Sequence, residues 1–305
     1  MGNLRTVNRQ VCRGLEQKPP EGGRRFELPR ALLTGEGRDQ VIDEQGGFWR
    51  GLSFIEGALT YDTVQDAAHA YEVGYALGLF HRLLAGLPPH LLADTLPGFH
   101  LTPAYLEYFD EILAARSVPS SAEVSYCLRF IDRRRSFVPV LEEAKKRGRL
   151  RPRPIHGDPK VNNVMVDAVS RQAVSLIDLD TVKPGLVHYD LGDCLRSGCN
   201  LLGEETEEWE AVRFDSDICR AMLKGYFHEA RNFLSEDDRA YLYDAVRLLS
   251  FELGLRFFTD YLAGNVYFKT SDKDHNLRRA LVQFKLTQSI ETQAAALQDL
   301  IRELF

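Results

Sequence analysis

The chain has 305 residues, of which 44% are hydrophobic and 27% charged, a composition typical of a globular protein large enough for two domains. The net charge of −6 argues against a broad nucleic-acid-binding surface, because neutralising phosphates requires clustered Lys and Arg that acids do not offset. The five cysteines are scattered without a CxxC pair, and no stretch has the length of a membrane span or the apolar core of a signal peptide. We therefore expect a cytoplasmic protein with reduced thiols and with neither a nucleic-acid nor a membrane partner.

The first predicted element is a helix between Asn3 and Gln17, where apolar residues recur at helical spacing. The segment EQKPPEGGRR, with its paired prolines and glycines, ends this helix. Two strand-like runs follow, FELPRALLT (26–34) and FWRGLSFIEG (48–57). The N-terminal part is therefore expected to hold one helix and a few short strands.

Most of the remaining chain is predicted to be helical. Long amphipathic stretches begin with DTVQDAAHAYEVGYALGLFHRLLAGL (62–87) and continue to the segment SSAEVSYCLRFIDRRRSFVPVLEEAKKRG (120–148). In the middle, NVMVD (163–167) and AVSLIDLD (173–180) have the pattern of two short strands joined by a turn. The chain then returns to helical patterns up to its C-terminus.

Acidic and amide side chains flank these two strands. His156, Gly157 and Asp158 precede Asn163, and Asp178 ends the next apolar run. Transfer of a phosphoryl group from ATP requires a carboxylate beside the acceptor hydroxyl and oxygen ligands that hold Mg²⁺ against the phosphates. Protein kinases meet both needs with H-R-D-x-x-x-x-N and a following D-F-G, and the spacing here is the same. The alternative is a polar surface hairpin in which Asp and Asn form turns.

Three segments carry a resemblance to a known family: HGDPKVNN (156–163), LIDLDTVKPGLVHYDLGDCLRS (176–197) and GLRFFTDYLAGNVYFK (254–269). They resemble the aminoglycoside phosphotransferase and choline kinase superfamily. Within it they are most similar to the N-acetylhexosamine 1-kinases, which phosphorylate the anomeric hydroxyl of N-acetylglucosamine or N-acetylgalactosamine. The resemblance extends from the first helix to near the C-terminus.

The resemblance implies an α+β, protein-kinase-like (aminoglycoside phosphotransferase-like) fold. Its small N-lobe would be residues 1–57, ending in the hinge, and its large, mainly helical C-lobe residues 58–305. The N-lobe is expected to be incomplete, because TGEGRDQ (34–40) lacks the third glycine of a phosphate-binding loop and Lys18 lies in a breaker segment rather than a strand. The first helix resembles the one that follows the phosphate-binding strands, so we expect that Met1 is a mis-assigned start or that the product is truncated.

The resemblance also assigns catalytic roles. Asp158 would be the base at the acceptor hydroxyl, and Asn163 and Asp178 would hold Mg²⁺, with ATP as the phosphoryl donor. These roles agree with the chemistry of the side chains, because a carboxylate near a divalent cation stays ionised. Lys160 is expected to place a positive charge near the transferred phosphoryl group, with an exposed loop lysine as the alternative.

Further residues have architectural or nucleotide-binding expectations. His156 is expected to brace the catalytic loop, and Asp190 resembles the buried aspartate that ties this loop to the following segment. The hinge at Phe54, Ile55 and Glu56 would bind the adenine edge through backbone groups.

For the acceptor, the resemblance points to Arg256 and Tyr267, whose guanidinium and phenol groups suit an acetamido sugar. The alternatives are an ion pair between Arg256 and Asp260 across one helical turn and a packed aromatic at Tyr267. Asp180 is expected to contribute to metal or sugar binding, or else to form a turn.

Together these inferences predict an ATP-dependent kinase acting on the anomeric hydroxyl of an N-acetylhexosamine. One alternative is a pseudokinase or sugar-binding module that lacks the nucleotide lid. Another is an aminoglycoside, choline, methylthioribose or homoserine kinase. In either enzyme the partner would be a small sugar or amino alcohol.

Overall fold

The computed structural model describes residues 1–305 and divides into two compact units. Unit 1 comprises Met1–Pro97, Pro152–Asp190 and Ala221–Phe233, and unit 2 comprises Gly98–Arg151, Leu191–Arg220 and Leu234–Phe305. These units are defined by packing and do not test the predicted division into lobes at residue 57, which stays a prediction. No helix is both long and apolar enough to cross a membrane.

The helices are α1 (Gly2–Gln17), α2 (Ala67–Leu84), α3 (Thr102–Ala115), α4 (Ala122–Asp132), α5 (Val140–Lys146), α6 (Val187–Gly198), α7 (Ser216–Ala230), α8 (Glu236–Ala240), α9 (Leu242–Ala263), α10 (His275–Thr292) and α11 (Ala294–Leu304). The strands are β1 (Ala31–Leu32), β2 (Val41–Ile42), β3 (Phe48–Trp49), β4 (Gly51–Leu52), β5 (Ala58–Leu59), β6 (Arg153–Ile155), β7 (Val164–Asp167), β8 (Ala173–Leu176) and β9 (Lys183–Gly185).

Unit 1 contains the predicted N-terminal helix and the predicted strand pair. Helix α1 buries Leu4, Val7 and Val11 on one face, which confirms the helical spacing. Strands β7 and β8 are also confirmed, and with β5 they form an antiparallel sheet of order β5-β7-β8. A separate pair, β6 with β9, leads the chain into and out of the segments that carry the predicted catalytic residues.

The N-terminal strands are shorter than the sequence predicts. β1 pairs with β4 and β2 with β3, so the segment from Ala31 to Leu52 is one long hairpin with two short ladders. Residues 26–30 lie outside any strand, since Pro29 cannot donate to a ladder, although Glu27 N donates to Val174 O at 2.9 Å. Arg50 falls between β3 and β4 and belongs to neither ladder.

Unit 2 is helical around a core of aromatic residues. Phe251 and Phe258 on α9 and Phe284 on α10 are fully buried in it. The predicted helical block at 120–148 is wrong as a single element: it divides into α4 and α5 at a 3₁₀ turn followed by Pro139, which cannot continue a helix interior.

Helices α2 and α7 of unit 1 cross at glycines. A Cβ atom on Gly74 would lie 1.9 Å from Met222 O, and one on Gly225 would lie 2.0 Å from Tyr71 O. Only glycine permits this backbone approach. The crossing sets α2, and with it His81, against the C-terminal part of α7.

Candidate active site

The predicted catalytic loop runs from the end of β6 to the start of β7. Its first turn is held by Asp190, whose carboxylate accepts the backbone N–H groups of His156 (2.6 Å) and Gly157 (2.8 Å). Asp190 is fully buried, so these charge-assisted bonds are shielded from water. The expected architectural role of Asp190 stays a proposal, and this geometry supports it.

His156 joins the catalytic loop to the segment after β8. Its ring is buried, and Nε2 lies 2.9 Å from Ile177 O. Its backbone carbonyl accepts the Thr181 hydroxyl at 2.7 Å, and Nδ1 lies 3.3 Å from Asp158 N. His156 therefore contacts both chain segments that carry the predicted catalytic residues. Neither of its ring nitrogens is directed at solvent.

Asp158, Lys160 and Asn163 lie together in this loop. Lys160 Nζ is 3.1 Å from Asp158 Oδ2, and both side chains are partly exposed. Asn163 Nδ2 donates to Asp158 O at 2.7 Å. This bond fixes the amide with its nitrogen toward the loop backbone. The expected role of Asn163 Oδ1 as a cation ligand stays a proposal.

Asp178 has an unusual backbone conformation. Its φ of 60° and ψ of 52° lie in the left-handed region, which costs a non-glycine residue about 1 kcal/mol or more. Gly157 opposite also has positive φ (91°), and a Cβ there would lie 2.6 Å from Thr181 O. Residues held in such conformations by their surroundings cluster at functional sites, and here two of them lie in the segments predicted to be catalytic.

Asp180 has a partner that the sequence did not reveal. Arg50, from the N-terminal hairpin, donates to it through both Nη1 (2.5 Å to Oδ1) and Nη2. The hydrogen bond from Arg50 holds the pKa of the Asp180 carboxyl below its usual value. The same bond raises the pKa of Arg50, and the charge of Asp178 adds to this effect.

A buried chain of hydrogen bonds supports Asp190 from behind. His81 Nε2 on α2 lies 2.8 Å from Asp190 Oδ2, and His81 Nδ1 lies 3.0 Å from the Tyr226 hydroxyl on α7. All three side chains are buried. Sequence reasoning missed His81 and Tyr226; the available signal was a histidine on the apolar face of a predicted helix, which by itself is usual in a core.

The expected hinge residues differ in exposure. Ile55 is buried, whereas Phe54 and Glu56 are exposed. Glu56 O accepts a bond from Arg25 Nη1 at 2.8 Å, and Gly57 O accepts Ala168 N at 2.8 Å. The segment is thus tied to its surroundings on both sides, and its adenine-binding role remains a proposal.

In unit 2, Arg256 lies inside a group of aromatic rings. Its guanidinium carbon is 5.0 to 5.9 Å from the ring centres of Phe99, Tyr105, Tyr267 and Phe268, which we call the aromatic cage. Burial raises the pKa of Tyr105 to about 12, so its hydroxyl stays protonated. Tyr267 itself is largely exposed.

The alternative partner of Arg256, Asp260, is engaged elsewhere. Its carboxylate accepts the backbone N–H groups of Val266 (2.9 Å), Tyr267 (2.8 Å) and Phe268 (3.0 Å), together with Asn276 Nδ2 (2.9 Å). The ion pair considered from the sequence is therefore wrong, and Asp260 instead anchors the segment that carries two rings of the aromatic cage. On α6, Asp193 and Arg196 lie about one helical turn apart and form an ion pair of 2.8 Å.

No cluster of three or more His, Cys, Asp or Glu side chains is arranged to enclose a metal ion. The donor set in unit 1 consists of carboxylates and an amide oxygen, which are ligands that Mg²⁺ prefers. Magnesium is commonly held by one or two carboxylates together with substrate phosphates rather than by a full protein cage. Asp178 and Asn163 fit that mode of binding, whereas both carboxylate oxygens of Asp180 are bonded to Arg50.

The arrangement has the fold and loop chemistry of a kinase-like phosphotransferase. The chain belongs to the phosphotransferase enzyme family known as APH, whose model matches residues 18–226. The matched range contains the whole catalytic loop, Asp178 and Asp190, but not Arg256 or Tyr267.

Solved structures agree on the fold. An aminoglycoside phosphotransferase from Alicyclobacillus acidocaldarius matches 99% of this chain and 84% of its own, with a TM-score of 0.66 and 16% identity. A microcompartment-associated aminopropanol kinase matches 98% and 83%, with a TM-score of 0.62 and 13% identity. A choline kinase from Cryptosporidium parvum matches 99% and 80%, with a TM-score of 0.55 and 13% identity. At these identities the likeness confirms the α+β, protein-kinase-like fold.

Proposed function

We propose that this protein is an ATP-dependent kinase of a small-molecule hydroxyl, most specifically the anomeric hydroxyl of an N-acetylhexosamine. The observation that carries the proposal is the catalytic loop: Asp190 fixes its first turn, and Asn163 fixes the backbone at Asp158. The loop thus presents a partly exposed carboxylate on a braced backbone. Positioning of this kind is the main contribution that a protein makes to phosphoryl transfer.

Each residue of the loop has a distinct task. Asp158 accepts the proton of the acceptor hydroxyl as its oxygen bonds to the γ-phosphorus of ATP and the bond from that phosphorus to the leaving ADP breaks. Lys160, 3.1 Å from Asp158, supplies positive charge where negative charge accumulates on the transferred group. Asn163 and Asp178 hold Mg²⁺, which when bound neutralises the phosphates of the nucleotide. Support for a nucleotide comes from relatives of the same fold, among them a spectinomycin phosphotransferase solved with ADP.

The acceptor class follows from the charge in the aromatic cage. Arg256 brings a positive charge among the rings, whereas the nearby Glu252, which acts on Tyr105, is bonded to His100 and Thr102. The charge of Arg256 disfavours polycations such as aminoglycosides and alkylammonium groups such as that of choline. A guanidinium fork beside aromatic faces suits a neutral sugar ring whose acetamido carbonyl accepts hydrogen bonds. This favours an N-acetylhexosamine over amino alcohols.

The proposal is tested by measuring ATP consumption with N-acetylglucosamine, N-acetylgalactosamine, choline, aminopropanol and an aminoglycoside. We expect turnover with the acetamido sugars, and Asp158→Asn should reduce kcat by about 10²–10⁴-fold with an unchanged circular dichroism spectrum. Asp167→Asn is the matched control, since the Asp167 side chain bonds only within the turn after β7 and the variant should keep full activity.

Two results would separate the alternatives. Turnover only with an amine-bearing acceptor overturns the N-acetylhexosamine assignment but keeps the kinase. Binding of an acetamido sugar in calorimetry without any binding of Mg·ATP identifies a sugar-binding module instead of an enzyme.

A further inference from the structure

Arg50 is the part of the N-terminal hairpin that reaches the predicted catalytic segments. Its two terminal nitrogens form a fork on the two oxygens of Asp180, and the charge of Asp178 lies near enough to act on it. The hairpin residues on either side are in strand ladders, but Arg50 is not. The ladders therefore hold the backbone on both sides of Arg50, while Arg50 itself belongs to neither ladder.

Replacing the hydrogen bonds between Arg50 and Asp180 by bonds to another anion costs little free energy. The two side chains are 30% and 53% exposed, so water screens their attraction and the pair contributes little to stability. A guanidinium makes two parallel hydrogen bonds to a phosphate as readily as to a carboxylate, with the same planar fork. An incoming phosphate that carries more negative charge than Asp180 can therefore take over the fork.

The hairpin can follow its arginine at little cost. Ile42, Phe48 and Trp49 are 65%, 56% and 65% exposed, so a shift of the hairpin uncovers little further apolar surface. An ion pair of 2.6 Å joins it to α1, between the exposed Arg5 and the partly exposed Asp39, and Arg50 Nη1 lies 3.8 Å from the sulfur of Met1.

We propose that Arg50 is a nucleotide-binding residue whose guanidinium passes from Asp180 to a phosphate of the bound nucleotide. Before nucleotide binds, Asp180 holds Arg50 beside the metal ligands. When Arg50 moves to the phosphate, Asp180 becomes available to the cation. The inference rests on the proposed kinase function, and it gives the hairpin a phosphate-binding group.

The alternative is that Arg50 only clamps the hairpin to Asp180. The two hypotheses predict different nucleotide affinities in the absence of metal, where Asp180 competes with phosphate for the guanidinium of Arg50. An exchange predicts opposite effects from the two sides of the pair: loss of Arg50 weakens nucleotide binding, and loss of Asp180 strengthens it. A clamp predicts that either loss has the same effect.

The experiment is calorimetry of the full chain with ADP in the presence of EDTA. We expect Arg50→Ala to weaken ADP binding by about 10-fold or more, the usual effect of losing a hydrogen-bonded charge pair. Asp180→Asn should tighten it by about 2- to 5-fold, the value of a surface ion pair. Arg38→Ala is the control for net charge, because Arg38 lies in the same hairpin and pairs only with Glu36 in it.

The double variant Arg50→Ala/Asp180→Asn decides between exchange and a general charge effect. If Asp180 acts through Arg50, its substitution has no further effect once Arg50 is gone, and the two changes are not additive. Additive effects, or equal ADP affinity in Arg50→Ala and the unaltered chain, overturn the inference and leave the kinase proposal intact. If the unaltered chain binds ADP neither with EDTA nor with Mg²⁺, both the kinase proposal and the role of Arg50 fail.

Discussion

His81 and Asp190 form a buried pair, with His81 Nε2 2.8 Å from Asp190 Oδ2, although 109 positions separate them in the chain. Asp190 uses the same oxygen for His156 N and its other oxygen for Gly157 N. Helix α2 thereby stabilises the catalytic loop without contributing a residue to it. The Tyr226 hydroxyl, on the other ring nitrogen of His81, extends this support to α7.

Replacing His81 by Ala should lower the free energy of unfolding by about 2–3 kcal/mol, because it removes a hydrogen bond from a buried carboxylate. Tyr226→Phe should cost less, about 1 kcal/mol, since that bond joins two groups outside the loop. Urea denaturation measures both. His90→Ala, at an exposed position, is the control and should unfold as the unaltered protein does. Equal stability of His81→Ala and the control would contradict the bracing role of His81.

Asp260 should control acceptor affinity rather than the chemical step. Its carboxylate accepts three backbone N–H groups of the segment that holds Tyr267 and Phe268. Asp260→Asn turns an acceptor oxygen into a donor, so this segment should loosen and KM for the acceptor should rise about 10-fold with kcat nearly unchanged.

The control for Asp260 is Asp272→Asn, which affects a surface ion pair with Arg278 further along the same segment. It should leave both constants unchanged. A fall in kcat at constant KM in Asp260→Asn would show that this aspartate acts on the chemical step instead.

The helix crossing gives a prediction about stability. In Gly74→Ala, the new Cβ would stand 1.9 Å from Met222 O, so α2 and α7 must separate. We expect a loss of about 3 kcal/mol or more, at or above the upper end of the range for overpacked cores. Gly86→Ala is the matched control, since its Cβ would meet nothing closer than Gln10 Nε2 at 3.8 Å. Thermal unfolding of the two variants distinguishes a steric clash at the helix crossing from the general effect of replacing a glycine.

The pair of Arg50 and Asp180 predicts a shift with pH. Because the pKa of Asp180 is lowered in the folded protein, the pair is fully formed above about pH 4, the unfolded value, and is lost as pH falls through the lower folded value. Carbon-13 NMR of aspartate carboxyl groups should show this midpoint, with the Asp180 signal assigned by its absence in Asp180→Asn. Arg50→Ala should return the midpoint toward about 4. A midpoint that Arg50→Ala does not move would mean that the pair is not formed in solution.

Spacing in the sequence brings out those candidate residues that lie close together in the chain. Asp158, Asn163 and Asp178 flank one strand–turn–strand segment, so their spacing alone is enough for the kinase hypothesis, and their roles stay a proposal. Arg50 meets Asp180 across 130 positions, and no local pattern encodes that contact. Asp260 shows the limit on a helix. Its spacing of one turn from Arg256 made an ion pair the alternative for Arg256, but its carboxylate accepts backbone groups beyond the end of α9.

The predicted lengths of the N-terminal strands were wrong for a related reason. The run 48–57 has strand composition, yet Arg50 interrupts its ladders and only four of its residues, Phe48–Trp49 and Gly51–Leu52, are paired. Strand propensity describes how well a residue fits an extended backbone. Whether the residue is paired depends on a partner strand, which the sequence of one segment does not specify.

The glycine crossing also bears on how the protein is made. Unit 1 is assembled from three separate stretches of chain, and the last of them, Ala221–Phe233, carries Met222 and Tyr226. The catalytic loop is synthesised well before that stretch, so the support that Tyr226 gives to His81 is missing until the stretch has been made. A chain that ended near residue 200 would contain the whole sequence motif of the loop and still lack one side of the framework that holds it in place.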